Sequence, residues 1–165
     1  MFETNRLLLI PVDYEILDSL IESDESFYHK YGLINHGEEY LNPSPEYLYK
    51  IRQRLIDHPE EYPLAVDYLI VIKDIHTVIG TIYYKSLPDG DGVSEIGYGM
   101  NPNYEGHGYM SEALMAMLDF GKNNGVKRVV ADTLLSNVKS QKVLLRSGFL
   151  IEEEVDDKIW FYKYL

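Results

Sequence analysis

The chain has 165 residues, 45% of them hydrophobic, and this length fits one domain, residues 1–165, that buries roughly 68–70% of its unfolded surface. It contains no cysteine, which excludes disulfide scaffolds, cysteine metal sites and thiolate nucleophiles. Asp and Glu outnumber Lys and Arg by 27 to 15, and the resulting net charge of −12 argues against a nucleic-acid partner. No apolar run approaches the roughly 18 residues of a membrane span and no basic segment opens the chain, so we expect a cytoplasmic protein without a membrane partner.

The first third of the chain predicts one strand and two helices, with an irregular segment between the helices. Arg6–Pro11 is mostly apolar and ends at proline, as an opening strand would, and Asp13 is a suitable N-cap for a helix that runs to Ile21. A second amphipathic helix covers Ser44–His58, with the serine as its N-cap, and stops just before a proline. Residues 23–43 show no helical or strand periodicity, and long loops of this kind are often functional in compact domains.

The irregular segment carries two histidines, His29 and His36, with Glu38 and Glu39 beside the second. Imidazole and carboxylate groups can bind a metal, but no matched ligand spacing occurs elsewhere in the chain. We therefore expect no metal site.

The middle of the chain predicts an antiparallel meander of three strands. Tyr68–Lys73, Val78–Tyr84 and Val93–Met100 are rich in β-branched and aromatic residues. Short turn-forming segments separate them, most clearly Pro-Asp-Gly-Asp-Gly at residues 88–92.

Two glycines, Gly106 and Gly108, join the last of these strands to a long helix. Apolar residues recur at helical spacing from Met110 to Gly121, so the helix begins at about Gly108. The first N–H groups of a helix have no intrahelical partners and carry the positive end of its dipole, and glycine lets a ligand approach the backbone closely. The junction therefore predicts a site for a phosphate or pyrophosphate, with a tight turn that binds nothing as the competing interpretation.

The last part of the chain predicts three strands and a short helix. The long helix ends at Asn-Asn-Gly (residues 123–125), and Val126–Leu135 then forms a strand. A strand–helix–strand unit of this kind places its two strands parallel, joined by a right-handed crossover, so this strand lies parallel to the one before the glycine loop. Residues 136–148 form a short helix closed by glycine. Phe149–Val155 and Ile159–Tyr164 form a closing hairpin.

Three segments together resemble the GNAT acetyltransferases, in particular the branch that acetylates protein N-terminal amines and small amines. They are Thr4-Asn-Arg6-Leu-Leu-Leu, Glu95-Ile-Gly-Tyr98 through the glycine loop to Glu112-Ala113, and Asn137 to Phe149. The resemblance implies an α/β (α+β) fold in which about four helices flank a mixed sheet of six or seven strands. An antiparallel meander in this sheet precedes a parallel pair of strands that splay apart.

The resemblance also implies acetyl-CoA as co-substrate, with its pyrophosphate on the glycine loop and its pantetheine arm along the backbone of the preceding strand. Two residues depart from the family pattern, since Glu105 stands where Gln or Arg is usual and Met110 where Gly or Ala is usual. Glu105 places a carboxylate near the pyrophosphate, so either CoA affinity is lowered or this side chain points away. The implied cofactor residues are Tyr98, Met100, Glu105, Gly106, His107, Gly108, Tyr109, Met110, Ser111 and Asn137.

Acetyl transfer to an amine needs a base, because an amine with a pKa near about 10.4 arrives protonated and cannot attack a thioester. Glu95 is the first candidate, since it lies on the strand that leads into the glycine loop, from which the family usually draws its base. A salt-bridged or solvated strand glutamate is the alternative interpretation. Asp91 and Asp132 follow as candidates. His107 has a side chain of the type that acts near neutral pH, but its loop position favours solvent or a phosphate contact.

The leaving thiolate needs only a weak donor, because a free thiol has a pKa of about 8.5. Many family members use a tyrosine four residues before the glycine of the Gly-Phe pair, but Leu144 occupies that position here. In the N-terminal acetylating branch a serine of an Asn-x-x-Ser motif is thought to serve, and Ser140 matches it, with a cap or surface hydroxyl as the alternative. Asn137 orients the cofactor or caps the short helix. Three cations of that helix could meet the adenosine 3′-phosphate: Lys139, Lys142 and Arg146.

We therefore expect an N-acetyltransferase that moves an acetyl group directly from acetyl-CoA to a primary amine, on a protein N-terminus or a small molecule. It would work as a monomer or a homodimer. A non-catalytic acyl-CoA-binding or regulatory module is the alternative, favoured by Glu105 and Leu144. An NTP-binding protein fits poorly, because no Gly-Lys-Ser/Thr follows the glycines.

Overall fold

A computed structural model of the protein describes residues 1–22, 26–34 and 44–165. These residues form one mixed sheet of eight strands and five α-helices, with two short 3₁₀ helices at Pro59–Glu61 and Pro102–Tyr104. In chain order the elements are β1 (Phe2–Glu3), β2 (Leu7–Pro11), α1 (Tyr14–Glu22), α2 (Ser26–Tyr31), α3 (Pro45–Asp57), β3 (Asp67–Ile72), β4 (Thr77–Tyr84), β5 (Val93–Met100), α4 (Tyr109–Asn123), β6 (Arg128–Leu134), α5 (Val138–Arg146), β7 (Leu150–Val155) and β8 (Lys158–Tyr164).

The strands lie in the order β1-β2-β3-β4-β5-β6-β8-β7, and β5 with β6 is the parallel pair. The architecture confirms the expected α/β class, the antiparallel meander and the parallel crossover. The strand count is one above the expected upper limit because β1, only two residues long, pairs with β2. A two-residue strand is too short to show a period-2 pattern in the sequence.

The number of helices is also one above the expectation, because Ser26–Tyr31 forms α2 inside the segment predicted to be irregular. Six residues are too few for a reliable helical periodicity. The predicted caps of the neighbouring helices are confirmed, since the Asp13 carboxylate accepts from the N–H of Ile16 at 3.0 Å and the Ser44 hydroxyl oxygen accepts from that of Tyr47 at 3.3 Å.

Helices cover both faces of the central strands. Tyr68 of β3 points to α4, where its ring centroid lies 5.8 Å from that of Phe120. The next residue, Leu69, points the other way and lines a small cavity together with Leu17 of α1 and Leu48 of α3. Strand β3 is therefore buried on both sides, which explains its nearly continuous apolar sequence.

Helix α4 is fixed to the sheet by a hydrogen bond from the side chain of Tyr84 to the helix backbone. The phenol donates to the carbonyl oxygen of Met117 at 3.0 Å. A Cβ at Gly121 would lie 2.2 Å from the same phenol oxygen, so the glycine makes room for the ring. Because α4 begins at the glycine loop, this contact also fixes the position of the loop relative to β4.

The parallel strands β5 and β6 separate soon after they begin. They pair at Val93 with Arg128, Ser94 with Val129 and Glu95 with Val130, and beyond Glu95 the remainder of β5 pairs with β4 on its other edge. This confirms the expected splay and leaves an opening between the two strands. Within the described residues, no helix is both long and apolar enough to cross a membrane.

Candidate cofactor and catalytic site

A cavity of about 550 Å³ lies beside the end of β5, the part of the strand that β6 leaves unpaired. Its walls are the end of β5, the loop before α4, the first turn of α4 and one side of α5. Ser140 and all the predicted cofactor residues except His107 line it. The other lining residues are Gly99, Pro102, Lys139, Lys142, Val143 and Arg146.

The glycine loop turns into α4 through two left-handed backbone conformations. Gly106 has a φ of +83° and Gly108, the N-cap of α4, a φ of +80°, values that L-residues with side chains rarely adopt. A Cβ at Gly106 would have no protein atom within 4 Å, so the backbone there is open. The loop thus presents open backbone next to the N-terminus of α4, the arrangement that binds phosphate groups.

The chain start holds this loop in place through Glu112 in the first turn of α4. One oxygen of Glu112 accepts from the hydroxyl of Thr4 at 2.6 Å and from the N–H of Arg6 at 2.9 Å, and the other accepts from Arg6 Nε at 2.7 Å. Arg6 also donates to the carbonyl of His107 at 3.0 Å and lies 4.5 Å from the Tyr109 ring centroid. Burial opposes ionisation, but these hydrogen bonds hold the pKa of Glu112 below its usual value.

Glu105, the carboxylate that departs from the family pattern, forms an ion pair with Lys139 of α5. Both residues line the cavity, one from the loop and the other from the helix. The negative charge that the sequence places beside the expected pyrophosphate is therefore paired with a cation. Lys142 and Arg146 line the same side of the cavity and add positive charge there.

Helix α5 presents Ser140 to the cavity. Asn137 caps the helix, since its side-chain oxygen accepts from the N–H of Ser140 at 3.1 Å. The hydroxyl of Ser140 lies 2.9 Å from the phenol oxygen of Tyr98 on β5, across the cavity. Leu144, which stands where many family members have a tyrosine, has no side-chain donor. It is 0% exposed and packs in the core.

Glu95 lies on the opposite face of the sheet from Tyr98, because the two residues are three apart on one strand. Its carboxylate forms an ion pair with Lys85, whose ammonium also lies 3.4 Å from Asp132. Asp132 in turn pairs with Lys158 at 2.6 Å. Two carboxylates and two ammonium groups therefore meet where β5 and β6 separate.

The charges of this cluster stabilise one another. Burial disfavours the charged form of Asp132, but the hydrogen bond from Lys158 and the nearby ammonium of Lys85 hold its pKa below the usual value. Burial also opposes the protonation of Lys85, yet its hydrogen bond to Glu95 and the nearby Asp132 raise its pKa. Lys85 is therefore a stable ammonium beside the candidate base.

The remaining candidates lie away from this cluster. Asp91 is exposed in the turn before β5, where its N–H donates to Asp89 at 2.9 Å. His107 is exposed, and its ring centroid lies 5.8 Å from that of Tyr109. Among the residues that the structure describes, no three His, Asp or Glu side chains form a group that could hold a metal, and His36 with Glu38 and Glu39 lies outside the described residues.

Sequence reasoning missed two features of the site, the bond between Tyr98 and Ser140 and the ammonium of Lys85. Alternation along β5 does place Tyr98 on the face opposite Glu95, but only the fold shows that α5 covers this face. The register Tyr84 with Ile96 brings Lys85 beside Glu95, and a register cannot be derived from one strand alone.

Comparison with known proteins identifies the fold. The model of the acetyltransferase (GNAT) domain family matches residues 6–150. The uncharacterized N-acetyltransferase YjdG of Bacillus subtilis is 27% identical over 164 residues, which cover 98% of this chain and 97% of that protein. The ribosomal-protein-S5-alanine acetyltransferase from Vibrio fischeri superposes with a TM-score of 0.72 at 23% identity, over 99% of this chain and 95% of that one.

A further solved structure, the RimL ribosomal L7/L12 alpha-N-protein acetyltransferase in complex with coenzyme A, also gives a TM-score of 0.72. Its identity is 18%, and the match covers 98% of this chain and 96% of that one. The solved structures agree with the observed fold, and the family model spans most of the chain, from just before β2 to the start of β7. The chain belongs to the GNAT acetyltransferase family.

Proposed function

We propose that this acetyltransferase uses acetyl-CoA to acetylate a primary amine, either the N-terminus of a protein or a small molecule. The observation that carries the proposal is the cavity beside the part of β5 that β6 leaves unpaired, which brings the glycine loop and Ser140 together, while Glu95 lies on the opposite face of the same strand. A phosphate-bearing donor and an amine acceptor could therefore meet from opposite faces of the sheet.

The residues around the cavity fit coenzyme A. The glycine loop offers open backbone to a pyrophosphate, and Lys142 and Arg146 offer charge to further phosphate groups. The edge of β5 that β6 leaves unpaired, from Ile96 onward, offers backbone groups to the amides of the pantetheine arm. Bound acetyl-CoA would supply an acetyl thioester, which is activated for attack by an amine.

Glu95 is the residue that we propose as the base. A protonated amine would give its proton to the Glu95 carboxylate, directly or through a water molecule, and then attack the acetyl carbon. The ion pair between Glu95 and Lys85 must break before the carboxylate can accept a proton from the acceptor amine. Ser140, on the other face, would donate a hydrogen bond to the sulfur as the C–S bond breaks.

The acceptor class is supported by the charges at the opening and by the names of the neighbours. Glu95 and Asp132 already hold the ammonium of Lys85, so a second primary ammonium has suitable partners there. Two structural neighbours are named for acetylation of ribosomal proteins, one of them at an α-amine. An acceptor with a primary amine fits both observations.

A turnover screen with acetyl-CoA tests the proposal. The acceptors would be peptides with varied N-termini, polyamines and aminoglycosides, and release of free thiol together with the mass of the product would be measured. We expect acetylation of at least one acceptor class well above the uncatalysed rate. Binding of acetyl-CoA without acceleration for any amine would instead support a regulatory acyl-CoA-binding module.

A further inference from the structure

The side chain of Tyr98 contacts Ser140, although the proposed binding of the pantetheine arm involves only the backbone of β5. The phenol oxygen of Tyr98 lies 2.9 Å from Oγ of Ser140 and 3.3 Å from the carbonyl oxygen of the same residue. This joins the strand wall of the cavity to the helix wall at the hydroxyl that the proposed reaction needs. Resting on that proposed function, we infer that Tyr98 is a positioning residue: its phenol donates to Oγ of Ser140 and thereby directs the serine proton into the cavity, toward the sulfur of the bound donor.

The direction of this hydrogen bond follows from the chemistry of the two hydroxyls. A phenol is a stronger donor and a weaker acceptor than an aliphatic alcohol, and Oγ of Ser140, at 2.9 Å, is nearer to it than the carbonyl oxygen at 3.3 Å, so the phenol donates to Oγ. A serine within a helix otherwise tends to donate to the carbonyl one turn back, where its proton is of no use to a ligand. With Tyr98 on its oxygen, Ser140 turns its own proton toward a third group, and both residues line the cavity that this group would fill.

The fold fixes the position of the Tyr98 side chain. Tyr98 pairs with Ile82 in the regular ladder between β4 and β5, and its ring is partly buried in the face covered by α4 and α5. Burial raises the pKa of Tyr98 to about 12, so the phenol keeps its proton at any pH near neutrality. A fixed neutral phenol can hold the serine hydroxyl in one orientation, which a mobile side chain or a water molecule would not.

The inferred step requires a hydrogen bond and no net proton transfer from either hydroxyl. As the C–N bond forms and the C–S bond breaks, the electron pair of the latter goes to sulfur. Because the resulting thiol has a pKa of about 8.5, the thiolate can leave as such, stabilised by the proton of Ser140, and can take up a proton from solvent later. Tyr98 acts on sulfur only through Ser140.

Binding of free coenzyme A provides a test that does not depend on turnover. Calorimetry would compare coenzyme A with desulfo-coenzyme A, which lacks the sulfur, at about pH 6.5 and about pH 9.5, on either side of the thiol pKa of about 8.5. The wild-type protein should bind the thiolate on the order of tenfold more tightly than its desulfo analogue at the higher pH, since hydrogen bonds to charged groups are strong. The other charged groups that line the cavity, Glu105, Lys139, Lys142 and Arg146, face both ligands, so the comparison cancels their effect.

Two substitutions and their combination decide the outcome. Both Tyr98→Phe and Ser140→Ala should lose the tenfold preference for the thiolate while their affinity for desulfo-coenzyme A stays unchanged, and the double variant should lose no more than either single one. Tyr164→Phe, at a residue that is 70% exposed on β8, is the matched control and should keep the preference. A Tyr98→Phe protein with the wild-type preference, or losses that add in the double variant, would overturn the inference.

Turnover separates this inference from the proposed function. If Tyr98→Phe removes the thiolate preference but the wild-type protein acetylates no amine, the positioning role stands and the proposed function fails. If amines are acetylated and Tyr98→Phe changes neither kcat nor the thiolate preference, the proposed function stands and the positioning role is rejected. Unchanged desulfo-coenzyme A binding shows in each case that the variant is folded.

Discussion

The ion pair between Glu95 and Lys85 governs what the proposed base can do. A carboxylate that is held by an ammonium can accept a proton only after the ammonium moves, and Lys85 has a second carboxylate, Asp132, within reach at 3.4 Å. A shift of Lys85 toward Asp132 would free Glu95 while the ammonium keeps a carboxylate partner. An incoming primary ammonium could then occupy the place that Lys85 leaves.

Replacing Glu95 by Gln should therefore lower kcat/KM for the amine by roughly 10²–10⁴, the usual contribution of a general base. Glutamine keeps the size of the side chain but cannot accept a proton. The acidic limb of the pH–rate profile should flatten, while acetyl-CoA affinity measured by calorimetry should be nearly unchanged.

The control for Glu95→Gln is Glu152→Gln, which also removes a strand carboxylate from an ion pair, here with Arg128. Its kinetics should match those of the wild-type protein. Wild-type rate and pH dependence in Glu95→Gln would contradict the assignment and direct attention to Asp132 or to an unassisted reaction of the free amine.

At the residue scale, the sequence could predict which side chains gather but not what they contact. The glycine loop, Asn137 and Ser140 follow from local patterns and from the family resemblance, and they do line one cavity. The pairing of Glu105 with Lys139 was not predictable, because the two residues belong to elements that meet only in the folded sheet. The roles of Glu95 and Ser140 stay predictions until kinetics test them.

Among the elements, the junction of β5 and α4 sets the proposed cofactor site. Its backbone is open at Gly106, and the first turn of α4 lies beside it. Any side chain at Gly106 adds backbone strain as well as bulk, because the φ of this residue is positive. An experiment on the loop must separate these two effects.

The substitution Gly106→Ala, compared with Gly125→Ala, makes this separation. Gly125 has a φ of +89° and, like Gly106, would have no protein atom within 4 Å of an added Cβ, but it lies at the other end of α4. Both variants should lose similar stability, roughly 1–2 kcal/mol. Only Gly106→Ala should weaken acetyl-CoA binding, by about tenfold, the effect of one lost hydrogen bond to phosphate. Equal affinities of the two variants in calorimetry would remove the loop from the cofactor site.

The contact between the chain start and α4 gives a prediction about stability. Glu112 accepts three hydrogen bonds from Thr4 and Arg6, and its pKa is lower in the folded protein than the ordinary value of 4.5. A lowered pKa stabilises the folded state above pH 4.5, and this contribution is lost as the pH falls through the folded pKa. Glu112→Gln should therefore lower the free energy of unfolding at pH 7 by on the order of 1–2 kcal/mol.

Urea denaturation at neutral pH and at about pH 3.5 would measure this effect. The difference between the wild-type protein and Glu112→Gln should shrink at the lower pH, because below pH 4.5 the carboxyl of the unfolded chain takes up a proton and the advantage of the folded carboxylate declines. Glu154→Gln, at an exposed glutamate of β7, should show little difference at either pH. A constant difference between wild type and Glu112→Gln across this range would mean that the charge of Glu112 does not contribute.

The order of the long elements was predictable because each has a strong local signal. The strands from β2 to β8 and the helices α1, α3, α4 and α5 follow from periodicity, caps and turn residues. Elements β1 and α2 were missed, since each is too short to show a periodic pattern. The separation of β5 and β6 was expected from the family resemblance alone, as nothing in the two strand sequences requires it.

On the scale of the whole molecule, charge is unevenly distributed. The chain carries a net charge of −12, yet Lys139, Lys142 and Arg146 line one side of the cavity. Glu95 and Asp132 lie on the other face of the sheet, where the acceptor is proposed to enter. An anionic donor would thus be drawn to one face, while a cationic acceptor would be drawn to the molecule as a whole.

Salt should therefore affect cationic acceptors more than neutral ones. We expect kcat/KM for a cationic acceptor to fall on the order of tenfold as ionic strength rises from about 0.01 M to about 0.15 M, because the Debye length shortens from about 30 Å to about 8 Å. Two peptides with the same N-terminus, one with lysines and one with neutral residues farther along, would be compared at saturating acetyl-CoA. Saturation removes the opposing effect of salt on the donor, so the neutral peptide should show little change. Equal salt dependence of the two peptides would show that the acidic charge of this protein serves solubility and does not steer its acceptor.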